Sequence, residues 1–251
     1  MTKRDKILGY AAPVISVVLM LVIWAAAAYA AGSEYILPNI GQTLKAFFGL
    51  FGVKEFYLAL LGTLLRTFIA FFISLAAAFS LAAAAKKSAA AERFIKPFIS
   101  VARALPTVAV VLLLLVWTNS KVAPVIVTML VVLPTEYTGA YNAMSGVDEN
   151  TISALKLFGV SERDLFFKVK LKQTLPEVYS LVGSGLSLNL KLMVAAEVLS
   201  QTARSMGYLL NASKVNFEIS KMIAIVIVTV ILGGGIEGAF SLASKKAGKW
   251  K

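Results

Sequence analysis

Residues 7–31 carry no charged side chain. Apolar runs of this length recur along the chain, and nothing else in the sequence constrains the fold so strongly. A helix needs about 20 residues to cross a hydrocarbon layer ~30 Å thick. Six such spans can be placed: about Ile7–Ala31, Thr67–Ala85 (with an entry reaching back to Phe56), Pro97–Trp117, Pro124–Asn142, Leu175–Leu199 and Ile219–Ala243. With 59% hydrophobic and 15% charged residues, the chain has too little polar material to cover a soluble domain of its size. The expectation is a single transmembrane domain over residues 1–251, an all-α polytopic helix bundle.

Lysines and arginines collect on the cytoplasmic side of a membrane protein. One set of loops and ends holds sixteen of them: Lys3, Arg4, Lys6, Lys86, Lys87, Arg93, Lys96, Lys156, Arg163, Lys168, Lys170, Lys172, Lys245, Lys246, Lys249 and Lys251. The other set holds six: Lys45, Lys54, Lys121, Arg204, Lys214 and Lys221. This bias places both termini and the segment around residues 150–174 in the cytoplasm. The net charge of +12 then reflects orientation, and no nucleic-acid partner is expected. Lys3–Arg4, an apolar run and Ala28–Tyr29–Ala30 also imitate a cleaved signal peptide. The apolar run is longer than such a peptide uses, so a retained first span is expected.

The chain has no Cys and no His. This removes thiolate and imidazole metal sites and every Ser-His or Cys-His nucleophile arrangement. No metal site and no catalytic residue are expected. Gly233–Gly234–Gly235 lacks the Lys-Ser/Thr of a phosphate loop and lies within an apolar run, where small residues let helices approach. Between the first two spans, Leu44, Phe47, Phe48 and Phe51 recur at helical spacing, which suits an interfacial amphipathic helix.

The segment ISALKLFGVSERDLFFKVKLKQTLP, residues 152–176, carries five basic residues and two acids before Leu175. Residues 153–158 have helical character and Gly159 is a natural stop. Ser161 with Asp164 three residues on resembles an N-cap for a second helix, Glu162 to Lys172. Ile152, Leu155 and Phe158 form the apolar face. That face suits either a lipid surface or a groove on another protein.

This segment resembles the cytoplasmic EAA loop of ABC importer permeases, whose pattern is Glu-Ala-Ala-x3-Gly-x9-Ile-x-Leu-Pro. Ser153 stands where the pattern has Glu, Ala154 and Leu155 where it has the Ala pair, and Gly159 where it has Gly. Val169, Leu171 and Lys172 take the places of Ile, Leu and Pro, and Leu175–Pro176 matches a second Leu-Pro of one branch. That branch handles nitrate, sulfonates and taurine. Further matches to it are Leu37–Pro38, T-L-L-R-T-F at 63–68, A-R-A-L-P at 102–106 and V-A-A-E-V-L at 194–199. The resemblance runs from Leu37 to Glu237. It implies the type I importer permease fold and a coupling helix of Ser153, Ala154, Leu155, Lys156, Leu157, Phe158 and Gly159. It also implies two copies of a separate ATPase subunit that binds ATP and Mg, a second permease copy forming a homodimer, and an extracytoplasmic solute-binding protein. The implied location is the bacterial cytoplasmic membrane, the implied activity solute uptake by alternating access.

A charge at the bilayer centre costs ~2.5–3.5 kcal/mol on insertion scales, so each one asks for a partner or a role. Arg66, near the outer end of its span, is expected to snorkel to the boundary. Arg103 precedes Pro106, which can kink or break the helix. Arg103 either lines the path or pairs with a lipid phosphate or a carboxylate. Glu136 and Lys191 either take structural pairs, Glu136 with Lys191 or Arg103, or serve the path. Lys191 and Glu197 lie about 240° apart around one helix and cannot pair with each other. Asn189 is a further polar candidate for the lining, and Glu237 reads as structural. A positive lining suits a small anionic solute. The rival class is a secondary transporter driven by an ion gradient, for which no inverted repeat is evident. A membrane-embedded enzyme lacks the paired groups it would need.

Overall fold

The computed structural model describes residues 3–146 and 149–248, and all regular structure among them is helical. In chain order the helices are α1 (Lys3–Ala31), α2 (Ile40–Leu50), α3 (Lys54–Lys87), α4 (Ala89–Ala104), α5 (Thr107–Trp117) and α6 (Ala123–Ser145). They continue with α7 (Glu149–Leu157), the short α8 (Glu162–Asp164), a π-helical stretch Leu165–Lys170, α9 (Leu171–Ser200), α10 (Met206–Val215) and α11 (Ile219–Ala247). Lys249 and Lys251, counted above among the inner charges, lie outside the described residues. Five helical segments among the described residues are long and apolar enough to cross a membrane, and six if α4 and α5 form one span.

The segment read as one span over 97–117 is two helices, bent by 96° at Leu105–Pro106. Leu105 is extended (φ −65°, ψ 124°), as is Pro106 (φ −70°, ψ 111°). Proline lacks an N–H and pushes the preceding residue out of the helical region, so the break falls where both constraints apply. Pro97, Pro134 and Pro176 lie inside unbroken helices. Proline alone therefore does not decide the break.

The helix expected to run from Glu162 to Lys172 does not end there. It passes through the π-helical stretch straight into α9, with the Leu171 N–H donating to the Phe166 carbonyl. The basic segment is thus the root of a membrane helix. It is not a free-standing surface helix.

Contacts group the chain into two compact units. The first holds the chain up to Tyr57 together with Leu209–Val228. Here Trp24 Nε1 of α1 donates to the Pro38 carbonyl at 3.1 Å. Asn39 then starts α2 with a reciprocal capping box: its side chain accepts from the Gln42 N–H and the Gln42 side chain accepts from the Asn39 N–H, both at 2.9 Å. Of the apolar residues expected on one face, Leu44 and Phe48 of α2 and Phe51 just after it are exposed, and Phe47 is half-buried.

The second unit holds Leu58–Tyr208 and the chain from Thr229. Its centre is the α6–α9 pair. Ala78, Ala82 and Ala85 of α3 meet Ile95 and Ile99 of α4, Tyr137 and Ala140 of α6 and Leu181 of α9. Small residues dominate because helix packing in lipid depends on close backbone approach. Gly183 shows the limit: a Cβ there would lie 2.6 Å from the Phe240 Cβ of α11. Nearby, Ser244 Oγ of α11 donates to the Pro176 carbonyl of α9 at 2.7 Å.

Candidate functional site

The coupling segment starts from a turn only glycine suits. α7 ends at Leu157, and Gly159 has φ +75°. The Gly159 N–H donates to the Lys156 carbonyl at 3.0 Å and the Val160 N–H to the Leu155 carbonyl at 3.2 Å. Together these bonds make the Schellman pattern that satisfies a helix's last carbonyls, with half-buried Val160 and Leu155 as its apolar pair. Ser161 then caps the next helix, accepting from the Asp164 N–H at 3.2 Å. Salt bridges Lys156–Glu162 (2.6 Å) and Lys168–Asp164 (3.0 Å) tie the two sides of the turn and its root.

The faces of α7 differ from the expected grouping of Ile152, Leu155 and Phe158. Ile152 is 2% exposed and faces inward, and Leu165 of the π-helical stretch is buried too. Leu157 is 89% exposed and Phe158 85%. The outward apolar pair is Leu157–Phe158, flanked by exposed Ser153, Ala154 and Lys156. A rigid turn therefore presents two large apolar side chains beside a lysine.

The expected path residues separate into two groups. Arg103 and Pro106 are exposed at the α4–α5 break, and Lys191 is exposed on α9. The Arg103 guanidinium bonds to Thr138 Oγ1 and reaches the Pro134 carbonyl at 3.3 Å. It pairs with neither Glu136 nor any other carboxylate among the described residues. Glu136 and Asn189 are fully enclosed between helices. Glu136 bonds to Ser74 Oγ of α3 rather than to Lys191 or Arg103. Its Oε1 and both amide atoms of Asn189 have no hydrogen-bond partner among the described residues. The Lys191 side chain reaches α11: a Cβ on Gly233 would lie 3.7 Å from Lys191 Cε.

Arg66 is tied to a partner that the sequence did not suggest. Its partly buried side chain pairs with Glu197, which is 0% exposed: Arg66 Nε lies 2.8 Å and Nη2 2.7 Å from Glu197 Oε1. Arg66 Nη2 also donates to the Arg204 carbonyl at 3.2 Å. Thr63 Oγ1 donates to Glu197 Oε2 at 2.7 Å and accepts from the Met206 N–H at 2.9 Å. The turn after α9 is held as well, with Gln201 and Arg204 at positive φ and Thr202 Oγ1 donating to the Ser120 carbonyl at 2.5 Å. Sequence reasoning missed this network. The signal was present, because T-L-L-R-T-F (63–68) and V-A-A-E-V-L (194–199) had each stood out. What was missing was that each motif is the other's partner.

Residues 74–238 match the family of binding-protein-dependent transport system inner membrane components. No curated protein matches the sequence. Solved structures share the fold, among them two of one transporter. One is the MetNI methionine ABC transporter in an inward-facing conformation, native crystal form, with 15% identity and a TM-score of 0.61, covering 75% of this chain and 94% of that one. The other is the same transporter from a SeMet-soaked crystal, with 15% identity, a TM-score of 0.63 and the same coverage of 75% and 94%. The fold is thus that of type I ABC importer permeases. By the extent of the family match, the chain belongs to the binding-protein-dependent transport system inner membrane components.

Proposed function

We propose that this chain passes a small solute across the cytoplasmic membrane by alternating access, and that ATP hydrolysis is coupled to it through α7. Membership in the family makes it a membrane permease whose ATPase is a separate subunit and which takes solute from a binding protein. The observation that carries the coupling assignment is the turn at Gly159, which holds Leu157 and Phe158 out in solvent. Exposed large apolar side chains on a rigid helix end are the anchors of helix-in-groove recognition. The ATPase groove takes residues 153–159, two ATPases serve a homodimer of this chain, and ATP and Mg bind on those partners. The excess of basic residues near residues 86–96 and 156–172 supports placing α7 and both termini on the cytoplasmic side.

The path runs past Arg103, Pro106 and Lys191, with Glu136 and Asn189 reached only when helices shift. The exposed Lys191 on a membrane helix favours a solute with an anionic group, such as a sulfonate, nitrate or taurine. The methionine in the name of the similar transporter does not transfer at 15% identity.

The test is co-expression with the candidate ATPase and purification through a tag on this chain. The wild-type chain retains the ATPase and Gly159→Val loses it, because valine resists φ +75°. Gly32→Val is the matched control: Gly32 also has positive φ and open space around its Cβ position, but lies on the other unit. Equal retention in all three proteins overturns the docking role of the turn. No ATPase with the wild-type chain brings the ion-gradient reading forward.

A further inference from the structure

The π-helical stretch does more than carry the chain into α9. Phe166, Lys170, Thr174 and Val178 follow at four-residue spacing and fall on one side of the helix. With Phe79 of α3 and Met144 of α6 they line a groove of about 440 Å³. Single-turn π insertions are frequent at functional sites.

The groove is lined by apolar side chains except for Lys170 and Thr174. α3 finishes at Lys86–Lys87, and Lys86 Nζ donates to Ser145 Oγ at the end of α6 at 3.0 Å. These helix ends mark the water boundary. Phe79 lies seven residues earlier on α3, about 10 Å deeper, and Val178 lies about 12 Å along the helix from Lys170. The groove therefore runs along the helix axes, with half-buried Lys170 beside Phe166 and Met144 toward the helix ends and Phe79 and Val178 deeper. That is the shape of one amphiphile standing upright in a leaflet.

Charge selects the headgroup. Arg163, Lys168, Lys170 and Lys172 crowd the same stretch. Its two acids, Glu162 and Asp164, are already engaged by Lys156 at 2.6 Å and Lys168 at 3.0 Å. Basic pockets between membrane helices at the cytoplasmic boundary hold acidic lipid headgroups. We propose that this groove binds an acyl chain of an anionic phospholipid, with its headgroup phosphate held by Lys170. The lipid braces α3 and α6 against the root of the arm that carries α7, so coupling responds to the anionic lipid content of the membrane. Lipid binding at this site does not depend on the permease reading, while its effect on coupling rests on the function proposed above.

The test uses the full chain purified in detergent. Phosphatidylglycerol and phosphatidylcholine with identical acyl chains are added in equal amounts, and bound lipid is read by native mass spectrometry. The wild-type chain retains phosphatidylglycerol about fivefold over phosphatidylcholine, as expected for one lysine. Lys170→Gln removes the preference and Lys170→Arg keeps it. Thr174→Trp fills the groove and lowers retention of both lipids. Equal retention of the two lipids by the wild-type chain overturns the proposal. So does a preference that survives Lys170→Gln. Loss of a dimer in Thr174→Trp with lipid retention unchanged gives the groove to a second copy of the chain and also overturns it. Lys170 is half-buried rather than enclosed, so its variants keep the question open to refutation if Thr174→Trp fails to fold.

Discussion

The two ends of the second unit are built on opposite principles. At one end, Arg66, Glu197, Thr63 and the turn through Arg204 and Met206 satisfy one another in a buried network. At the other, α7 leaves Leu157 and Phe158 facing outward and keeps its ion pairs at the surface. The first end is complete within the chain. The second leaves two large apolar side chains in solvent, as the docking proposed for α7 requires. A closed polar network resists deformation, since opening it strands a buried charge. An exposed anchor on a rigid turn contributes little to stability and a great deal to binding. The same chain thus fixes one end and offers the other.

Arg66→Ala strikes the closed end hardest. It leaves Glu197 buried without its cation, at a cost of about 3–5 kcal/mol. A large fall in the apparent melting temperature in detergent is expected. Arg66→Met with Glu197→Gln should recover most of it, because the amide keeps an acceptor for Thr63 and Gly207 without a charge. Equal losses in the single and double variants would show that buried charge does not govern this end.

Gly207→Ala comes next. A Cβ at Gly207 would lie 2.5 Å from the Val198 backbone nitrogen and 2.7 Å from the Glu197 carbonyl carbon. Backbone cannot swing aside as a side chain does, so the expected cost is about 3 kcal/mol, seen again as a lower melting temperature. A variant as stable as the wild-type chain would mean the turn after α9 is looser than its contacts indicate.

Phe158→Ser tests the open end. Surface changes of this kind stay within about 0.5 kcal/mol in stability. Loss of a buried aromatic anchor at an interface costs about 2 kcal/mol, or roughly 30-fold in affinity. The variant should melt with the wild-type chain and yet release the ATPase in a pull-down. Unchanged ATPase binding would remove Phe158 from the interface.

The smallest effect is expected for Lys156→Gln, which breaks the solvent-facing bridge to Glu162. Exposed ion pairs contribute little once screened by water and salt. No measurable change in melting temperature is expected. A clear drop would mean that the bridge, rather than the Gly159 turn, holds α7 in place.

Much of this arrangement was legible in the residues. Uncharged runs long enough to span a bilayer announce membrane helices, because in lipid a chain must satisfy its backbone internally. Gly159 and Ser161 announced a helix stop and a helix start, and both act as such, since capping is decided within a few residues. The apolar face of α7 was misassigned for a related reason. Periodicity shows which side chains share a side, but only Leu165 and its surroundings decide which side is covered.

The features readable from the residues are therefore local or additive: helix, span length, turn chirality and the charge bias between the two sets of loops. The tertiary structure alone decided the partner of Arg66, which lies 131 residues away in Glu197. It alone decided that Pro106 breaks its span while Pro134 does not, and that Glu136 turns to Ser74 rather than to a cation. The physical reason is the same in each case. Burial and long-range pairing set the cost of a charge or a missing hydrogen bond, and the chain meets that cost with whatever residue the packed helices bring within reach.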